Sequence, residues 1–324
     1  MKLARTAIAA ALGFGILASA SATPIDNLFS SRIGEFLLTD TSGEILVKGV
    51  TGTASNVSSS IQVNDYLVGA LNFESLSNPG TPIGSASREL TALFATQISA
   101  IETVNSSGSV SNFAMAAPGD AFWVSQLGAA NYGSLLAFTG LADMSMVAGL
   151  MFEDGVNQFD RGDGIAASFV EAGDGVLRAV VGFDGIDDFW IARGPSDLAA
   201  FAVPGSTTNA LGHFNFGLSF LYENIVGEFL DQAAGFSADE IDTTYSKATA
   251  GASFITPFSA DAQLVGDGSL FRPVLPNDGV TDPFPVYNKV DITLYRIPEP
   301  GTMALTGLAL LGLGLSRRRS KTGD

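Results

Sequence analysis

The chain has 324 residues, 46% of them hydrophobic, with no cysteine, one histidine and a formal net charge of −17. The missing cysteines rule out disulfide bonds and thiol chemistry, and a single histidine makes a zinc site of ordinary ligand type untenable. The acidic balance argues against nucleic acid or anionic lipid as a partner, because both would repel the protein.

The first 22 residues have the pattern of a secretory signal peptide. Lys2 and Arg5 precede the apolar run 7–17, and small residues follow, including Ala20 and Ala22. We therefore expect export through the Sec translocon and cleavage by signal peptidase after Ala22. Removing residues 1–22 and 301–324 takes away six of 16 basic and one of 33 acidic residues, which leaves a mature net charge of −22.

The next hundred residues alternate in the manner of β-strands. Segments 35–39 and 44–48 flank the turn-rich residues 40–43, which predicts a hairpin. Residues 61–74 predict a long strand broken near Asn64 and Asp65, and 75–87 predict a loop. Residues 89–102 fit either a helix or a strand by periodicity, and we favour the strand.

The middle of the chain is punctuated by Asp-Gly pairs that begin at Asp154, Asp163, Asp174 and Asp184. Asp-Gly supplies the positive φ that tight hairpin turns need. The regular spacing predicts an antiparallel meander over 144–193, with strands at 165–171 and 176–183.

The same region concentrates carboxylates, and Ca²⁺ binds six to eight oxygen ligands. The candidates for a calcium site are Asp154, Asp160, Asp163 and Asp174, although no known calcium-loop spacing is present. Hairpin turns explain the same residues without a metal, so we predict no cofactor and keep calcium as an alternative.

The remaining body also predicts strands. Residues 213–222 place Phe214, Phe216, Leu218 and Phe220 on one face, and 288–297 alternate in the same way. A short helix is predicted at 226–234. Short, regularly spaced strands with one or two short helices predict an all-β fold, an antiparallel β-sandwich built from meanders and hairpins.

No catalytic residue is predicted. His213 falls on the polar face of its strand, and no nucleophile elbow accompanies it. Arg161-Gly162-Asp163 is interpreted as turn chemistry. Residues 120–124 are similar to residues 187–191, and each segment holds one of the two tryptophans. The similarity indicates either two unrelated aromatic strands or a weak internal repeat.

The C-terminal end carries three features in order. Pro298-Glu299-Pro300 comes first, the uncharged run 303–315 follows, and Arg317, Arg318 and Arg319 come directly after it. The apolar run makes a short membrane helix of about 20 Å, and the arginines predict a cytoplasmic end. The prolines keep the preceding segment extended.

This order closely resembles the PEP-CTERM sorting signal of exported bacterial proteins, usually from Gram-negative bacteria that make exopolysaccharide. The resemblance implies processing near Pro298-Glu299-Pro300 by an exosortase, a membrane-embedded transpeptidase-like enzyme. It would divide the chain into a signal peptide (1–22), an extracellular β-rich domain (23–297) and a sorting signal (298–324). A plain membrane anchor or a buried apolar helix are the alternatives for the tail.

Two functions follow as expectations. The first is a non-enzymatic exported protein, anchored transiently in the inner membrane and then placed at the cell surface or in the extracellular polysaccharide matrix, with a structural or adhesive role in biofilm. The second is a secreted carbohydrate-binding module or glycan hydrolase. Exposed aromatic residues would favour the second, and Trp123, Trp190 and Tyr295 are the ones to inspect.

Overall fold

The computed structural model describes residues 34–49, 54–55, 60–77, 81–82, 89–104, 107–154, 159–184, 188–200, 210–223, 228–229, 264–272 and 283–297. The strands are β1 (Gly34–Val47), β2 (Ala54–Ser55), β3 (Tyr66–Ser77), β4 (Thr81–Pro82), β5 (Glu89–Thr103), β6 (Val110–Ala116), β7 (Val147–Asp154), β8 (Val176–Gly182), β9 (Phe189–Pro195), β10 (Gly212–Glu223), β11 (Glu228–Phe229), β12 (Leu264–Phe271) and β13 (Val286–Ile297). The helices are α1 (Asp120–Thr139) and α2 (Ile165–Glu171), with 3₁₀ turns at Arg161–Asp163 and Leu198–Ala200.

Eight of the described strands close into an antiparallel barrel. Their order around the ring is β1, β3, β5, β7, β8, β10, β12 and β13, and β13 returns to pair with β1. The closing ladder runs from Gly34 opposite Arg296 to Glu44 opposite Val286. The fold therefore depends on pairing the first and last strands of the described chain.

The barrel wall divides along one side. The first part of β5 pairs with β7, and its last part pairs with β6. In β10 the first part pairs with β9 and the last part with β8. Since β6 also pairs with β9, the gap between β5 and β10 is filled by β7 and β8 at one end and by β6 and β9 at the other.

Alternation along the strands builds an inner core in the barrel lumen. Trp190 is its centre, with ring centroids 4.8 Å from Phe216, 5.5 Å from Phe94 and 6.2 Å from Phe214. The apolar face predicted for residues 213–222 is confirmed, because Phe214, Phe216 and Leu218 are buried here. The alternation predicted for 288–297 agrees with the burial of Val290 and Ile292 in the same core.

A second core covers the outer face of β1, β3, β5, β7 and β8. Helix α1 contributes Trp123, whose indole N–H donates to the Val147 carbonyl at 3.0 Å. Helix α2 contributes Phe169, which packs edge-on against Phe284 with centroids 6.0 Å apart. Gly128 has φ of 75° and divides α1 by a kink, so both halves bring apolar side chains to the sheet.

The predicted sandwich is wrong. A sandwich has two sheets with free edges, whereas here the β1–β13 and β3–β5 ladders close the described strands into one ring. Alternation of polar and apolar residues is the same in both architectures, because each strand has one buried face in either case.

The predicted hairpin at 35–48 is also wrong, since these residues lie on β1 and the residue after its end. A mid-strand position holds glycine here because the Phe284 ring packs directly over Gly43. A Cβ at this position would lie 2.4 Å from that ring. The break before β3 is confirmed: Asn64 has φ of 72°, and buried Asp65 accepts hydrogen bonds from the Gln62 and Gly49 amides at 2.8 and 3.1 Å.

Three further assignments need correction, and one open choice is resolved. Residues 165–171 form α2 instead of a meander strand, and residues 120–124 belong to α1 instead of a strand, so their similarity to 187–191 is between a helix and a strand. In the predicted helix 226–234 the structure describes only Glu228–Phe229, which form β11. Residues 89–102 are a strand, as favoured.

Candidate functional site

The predicted sorting signal begins where the barrel ends. The last strand, β13, finishes at Ile297, and Pro298 is the next residue in the chain. Pro298, Glu299, Pro300 and the arginines 317–319 lie outside the described residues, as do Ala20 and Ala22 of the predicted signal peptide. In the part of the chain that is described, no helix has the length and apolar character to cross a membrane.

Inside the barrel, β1 carries a row of polar side chains that sequence analysis assigned to a turn. Asp40, Ser42 and Glu44 occupy alternate positions between Leu38 and Leu46, so all three face the lumen, and each is at most 2% exposed. Asn288 lies opposite Ser42 on β13. We call these four residues the lumen polar row.

Three members of the lumen polar row form a hydrogen-bonded chain. The Ser42 hydroxyl donates to the Asn288 amide oxygen, and the Asn288 amide nitrogen donates to the Glu44 carboxyl. Neither Asp40 oxygen makes a hydrogen bond of ordinary geometry. Asp40 is therefore a fully buried carboxyl group beside the apolar side chains of its cross-strand neighbours Phe73 and Val290.

Burial makes both acids hard to ionise. Desolvation raises the pKa of Glu44 to about 8, and the hydrogen bond from Asn288 opposes this only partly. Desolvation also raises the pKa of Asp40 well above its usual value, helped by the charges of Asp291, Glu74 and Glu44, while the nearby Val290 amide has a smaller, opposite influence. At neutral pH Glu44 is therefore largely uncharged, and Asp40 is harder to ionise than an exposed aspartate.

Two small cavities in the lumen are lined by described residues. One, of about 40 Å³, is lined mainly by apolar residues around Trp190, such as Phe94 and Phe216, and the other, of about 50 Å³, lies beside Glu44. Ligand pockets are usually ~300 to 1,000 Å³, so each cavity has room for water molecules and is too small for a sugar ring. Asp40 and Glu44 are four residues apart on one strand, about 13 Å between Cα atoms.

The calcium candidates lie near α2 without forming a ligand cage. Asp160 accepts a hydrogen bond from the Gly162 amide at 2.7 Å, which is local turn chemistry. Burial, and then the charge of Asp154, raises the pKa of Asp174 to about 6. Among the described residues, no three acidic or histidine side chains form a group suited to a metal ion.

Most of the other residues that the sequence analysis singled out contact neighbouring side chains or are buried in one of the two cores. The His213 ring lies 3.2 Å from the Ser269 hydroxyl on the outer face of β10, half-buried. Arg161 of the Arg-Gly-Asp sequence lies 4.2 Å above the Tyr287 ring. Trp123 and Trp190 are both buried, and the Tyr295 side chain lies outside the described part of the structure.

The lumen polar row was missed because Asp, Ser and Gly in succession are typical of turns. Its signal in the sequence is the continued alternation through it. Leu38, Asp40, Ser42, Glu44 and Leu46 share one phase, while Thr39, Thr41, Ile45 and Val47 give the other phase β-branched character.

Comparison with protein families gives one finding. Residues 296–319 match the family model of the PEP-CTERM protein-sorting motif, which confirms the resemblance seen in the sequence. The motif implies export, transient membrane anchoring and processing by an exosortase. Neither the curated proteins nor the solved structures gave a significant match to the chain.

Proposed function

We propose that the protein is a non-enzymatic component of the extracellular polysaccharide matrix, exported, processed by an exosortase and then retained at the cell surface or in the matrix. The observation that carries this proposal is the sorting-motif match at 296–319, which begins at the end of a closed barrel. Its role in the matrix would be structural or adhesive.

The interior of the barrel supports a structural role. Trp190, Phe94 and Phe216 pack in the lumen beside the lumen polar row, and two cavities lined by described residues measure only about 40 and 50 Å³. A barrel whose lumen is occupied by side chains is a stable scaffold for the surface that it presents. The high negative charge of the mature chain favours solubility outside the cell and attraction to divalent cations held in an acidic matrix.

An aromatic pair of one exposed and one half-buried ring favours a second function, a carbohydrate-binding module. Phe138 is 43% exposed, and its ring centroid lies 5.7 Å from that of Tyr222. Aromatic faces at a surface stack against apolar faces of sugars. If this pair binds polysaccharide, Phe138→Ala will reduce co-sedimentation with matrix polysaccharide from the host, whereas Val63→Ala, at a similarly exposed apolar residue, will leave it unchanged.

The main test is the intact mass of the protein from the native host. The wild type should end near residue 300 and fractionate with the extracellular matrix. Replacing Pro298, Glu299 and Pro300 by alanine should leave a tail-bearing protein in the membrane, whereas Ser107→Ala with Ser134→Ala, at exposed positions, should be processed normally. A wild-type protein that keeps Arg317–Arg319 in the membrane contradicts the proposal.

A further inference from the structure

The end of β13 is paired along both edges. On one edge Arg296 lies opposite Gly34 of β1. On the other edge the ladder with β12 stops at Leu264, the first residue of β12, which lies opposite Leu294. Strand β11 takes over from there, with Phe229 opposite Arg296 and Glu228 opposite Ile297. The two-residue strand β11 therefore covers an edge that would otherwise be free at the end of the barrel.

The sorting motif overlaps this paired end. Its match begins at Arg296, so Arg296 and Ile297 belong both to the matched segment and to β13. Pro298 follows Ile297 directly, and no linker separates the barrel from Pro298-Glu299-Pro300.

An enzyme that acts on a peptide segment commonly holds it extended, using backbone N–H and C=O groups along an exposed edge. A strand flanked on both sides has already committed these groups to its neighbours. Cleavage of such a segment requires local opening, and strand ends open at a lower free energy than the whole fold.

We propose that the barrel controls its own processing: the C-terminal end of β13 must detach from β1 and β11 before the exosortase can process the adjoining motif. This inference rests on the proposed function. Detachment of the last residues leaves most of the closing ladder in place, from Leu38 opposite Ile292 to Glu44 opposite Val286. The barrel can therefore stay closed while its end is processed.

The absence of cysteine allows a direct test with an engineered disulfide. Glu35 and Tyr295 are directly opposite on β1 and β13, close enough for a cross-strand bond between two introduced cysteines. The variant Glu35→Cys with Tyr295→Cys locks the end of β13 and leaves the matched residues 296–319 unchanged. The control, Thr41→Cys with Lys289→Cys, lies six residues along the same ladder, on the same face and at the same type of pair.

Purified tail-bearing proteins are incubated with membranes of the native host, with and without reductant, and processing is followed by intact mass. We expect the oxidised lock at 35 and 295 to slow processing by about tenfold or more and reductant to restore it. The oxidised control at 41 and 289 should be processed within about twofold of the wild type. A short Gly/Ser spacer between Ile297 and Pro298 should rescue the locked variant.

Equal rates for the oxidised and reduced lock overturn the inference, and so does a locked variant that the spacer fails to rescue. Loss of the proposed function has a different signature. In that case the wild type itself is not processed, or the alanine variant at Pro298-Glu299-Pro300 is processed as fast as the wild type.

Discussion

The inner and outer cores of this protein meet different packing constraints. The inner core fills a lumen whose width is fixed by eight strands, and it retains small cavities and the lumen polar row. The outer core lies between the sheet and two helices, which approach until large side chains such as Trp123 and Phe169 are in contact. A closed ring cannot shrink around its contents, whereas a helix can settle onto a sheet. The two cores should therefore respond differently to the same kind of change.

Truncation in the outer core should have the largest effect. Trp123→Ala removes a 1% exposed indole and its hydrogen bond to Val147, and we expect a loss of ~4 kcal/mol in the free energy of unfolding. Trp123→Phe keeps most of the ring and should cost about half as much. Urea unfolding of the mature protein measures both. A loss below ~1.5 kcal/mol for Trp123→Ala would contradict tight packing beneath α1.

The contribution of the inner core to the free energy of unfolding should depend on pH, unlike that of the outer core around Trp123. A carboxyl group whose pKa is raised on folding contributes stability that is complete below its unfolded pKa and is lost as pH rises through the folded pKa. For Glu44 this window runs from the ordinary value of 4.5 to about 8, and we expect the free energy of unfolding to fall by ~3 kcal/mol between pH 5 and pH 8. Asp40 contributes with the same sign.

The control for this pH dependence is neutral substitution. Glu44→Gln retains an oxygen that accepts from Asn288 and should flatten the profile, and Asp40→Asn in addition should flatten it further. Asp174, with a pKa of about 6, titrates in the same range and remains in every variant, so a small slope will persist. If the free energy of unfolding falls equally steeply with pH in the wild type and in Glu44→Gln, Glu44 is not buried as an acid.

How far the sequence predicts this fold depends on the range of the interaction involved. The strands β3, β5, β10 and β13 were predicted because alternation is a local signal. Barrel closure was not predicted, because it depends on Gly34 pairing with Arg296, which is separated from it by most of the chain. Helix α2 was mistaken for a strand because seven largely apolar residues between Asp-Gly pairs have too few turns to reveal a helical period.

For the candidate site, the sorting signal was readable because its three features occur in a fixed linear order. The lumen polar row was not, since Asp40 and Ser42 beside Gly43 have the composition of a turn. Their actual environment comes from partners far along the chain, Asn288 for Ser42 and the Phe284 ring for Gly43. Burial of a polar group by distant residues leaves little trace in the local sequence.

Adding side-chain volume should change the free energy of unfolding in opposite directions in the two cores, by less than the truncation of Trp123. Ala92 lines the 40 Å³ cavity of the lumen, and Ala95 on the same strand faces the outer core at 1% exposure. Ala92→Val should be neutral or stabilising by ~0.5 kcal/mol, because it fills existing space. Ala95→Val should cost ~1 to 2 kcal/mol by overpacking. Equal losses in urea unfolding would contradict the difference between the cores.

The smallest expected effect concerns the rim of the outer layer, where Arg161 lies over Tyr287 of β13. A guanidinium above an aromatic face at partial exposure contributes about 0.5 to 1 kcal/mol, so Arg161→Ala should lower the free energy of unfolding by that amount. Asp163→Ala, in the same 3₁₀ turn but exposed, should change it by less than ~0.5 kcal/mol. Urea unfolding at low and high salt separates the two. The contribution of Arg161 should persist at high salt because the guanidinium also packs against the ring. Equal effects of Arg161→Ala and Asp163→Ala would mean that contact with Tyr287 does not stabilise the turn.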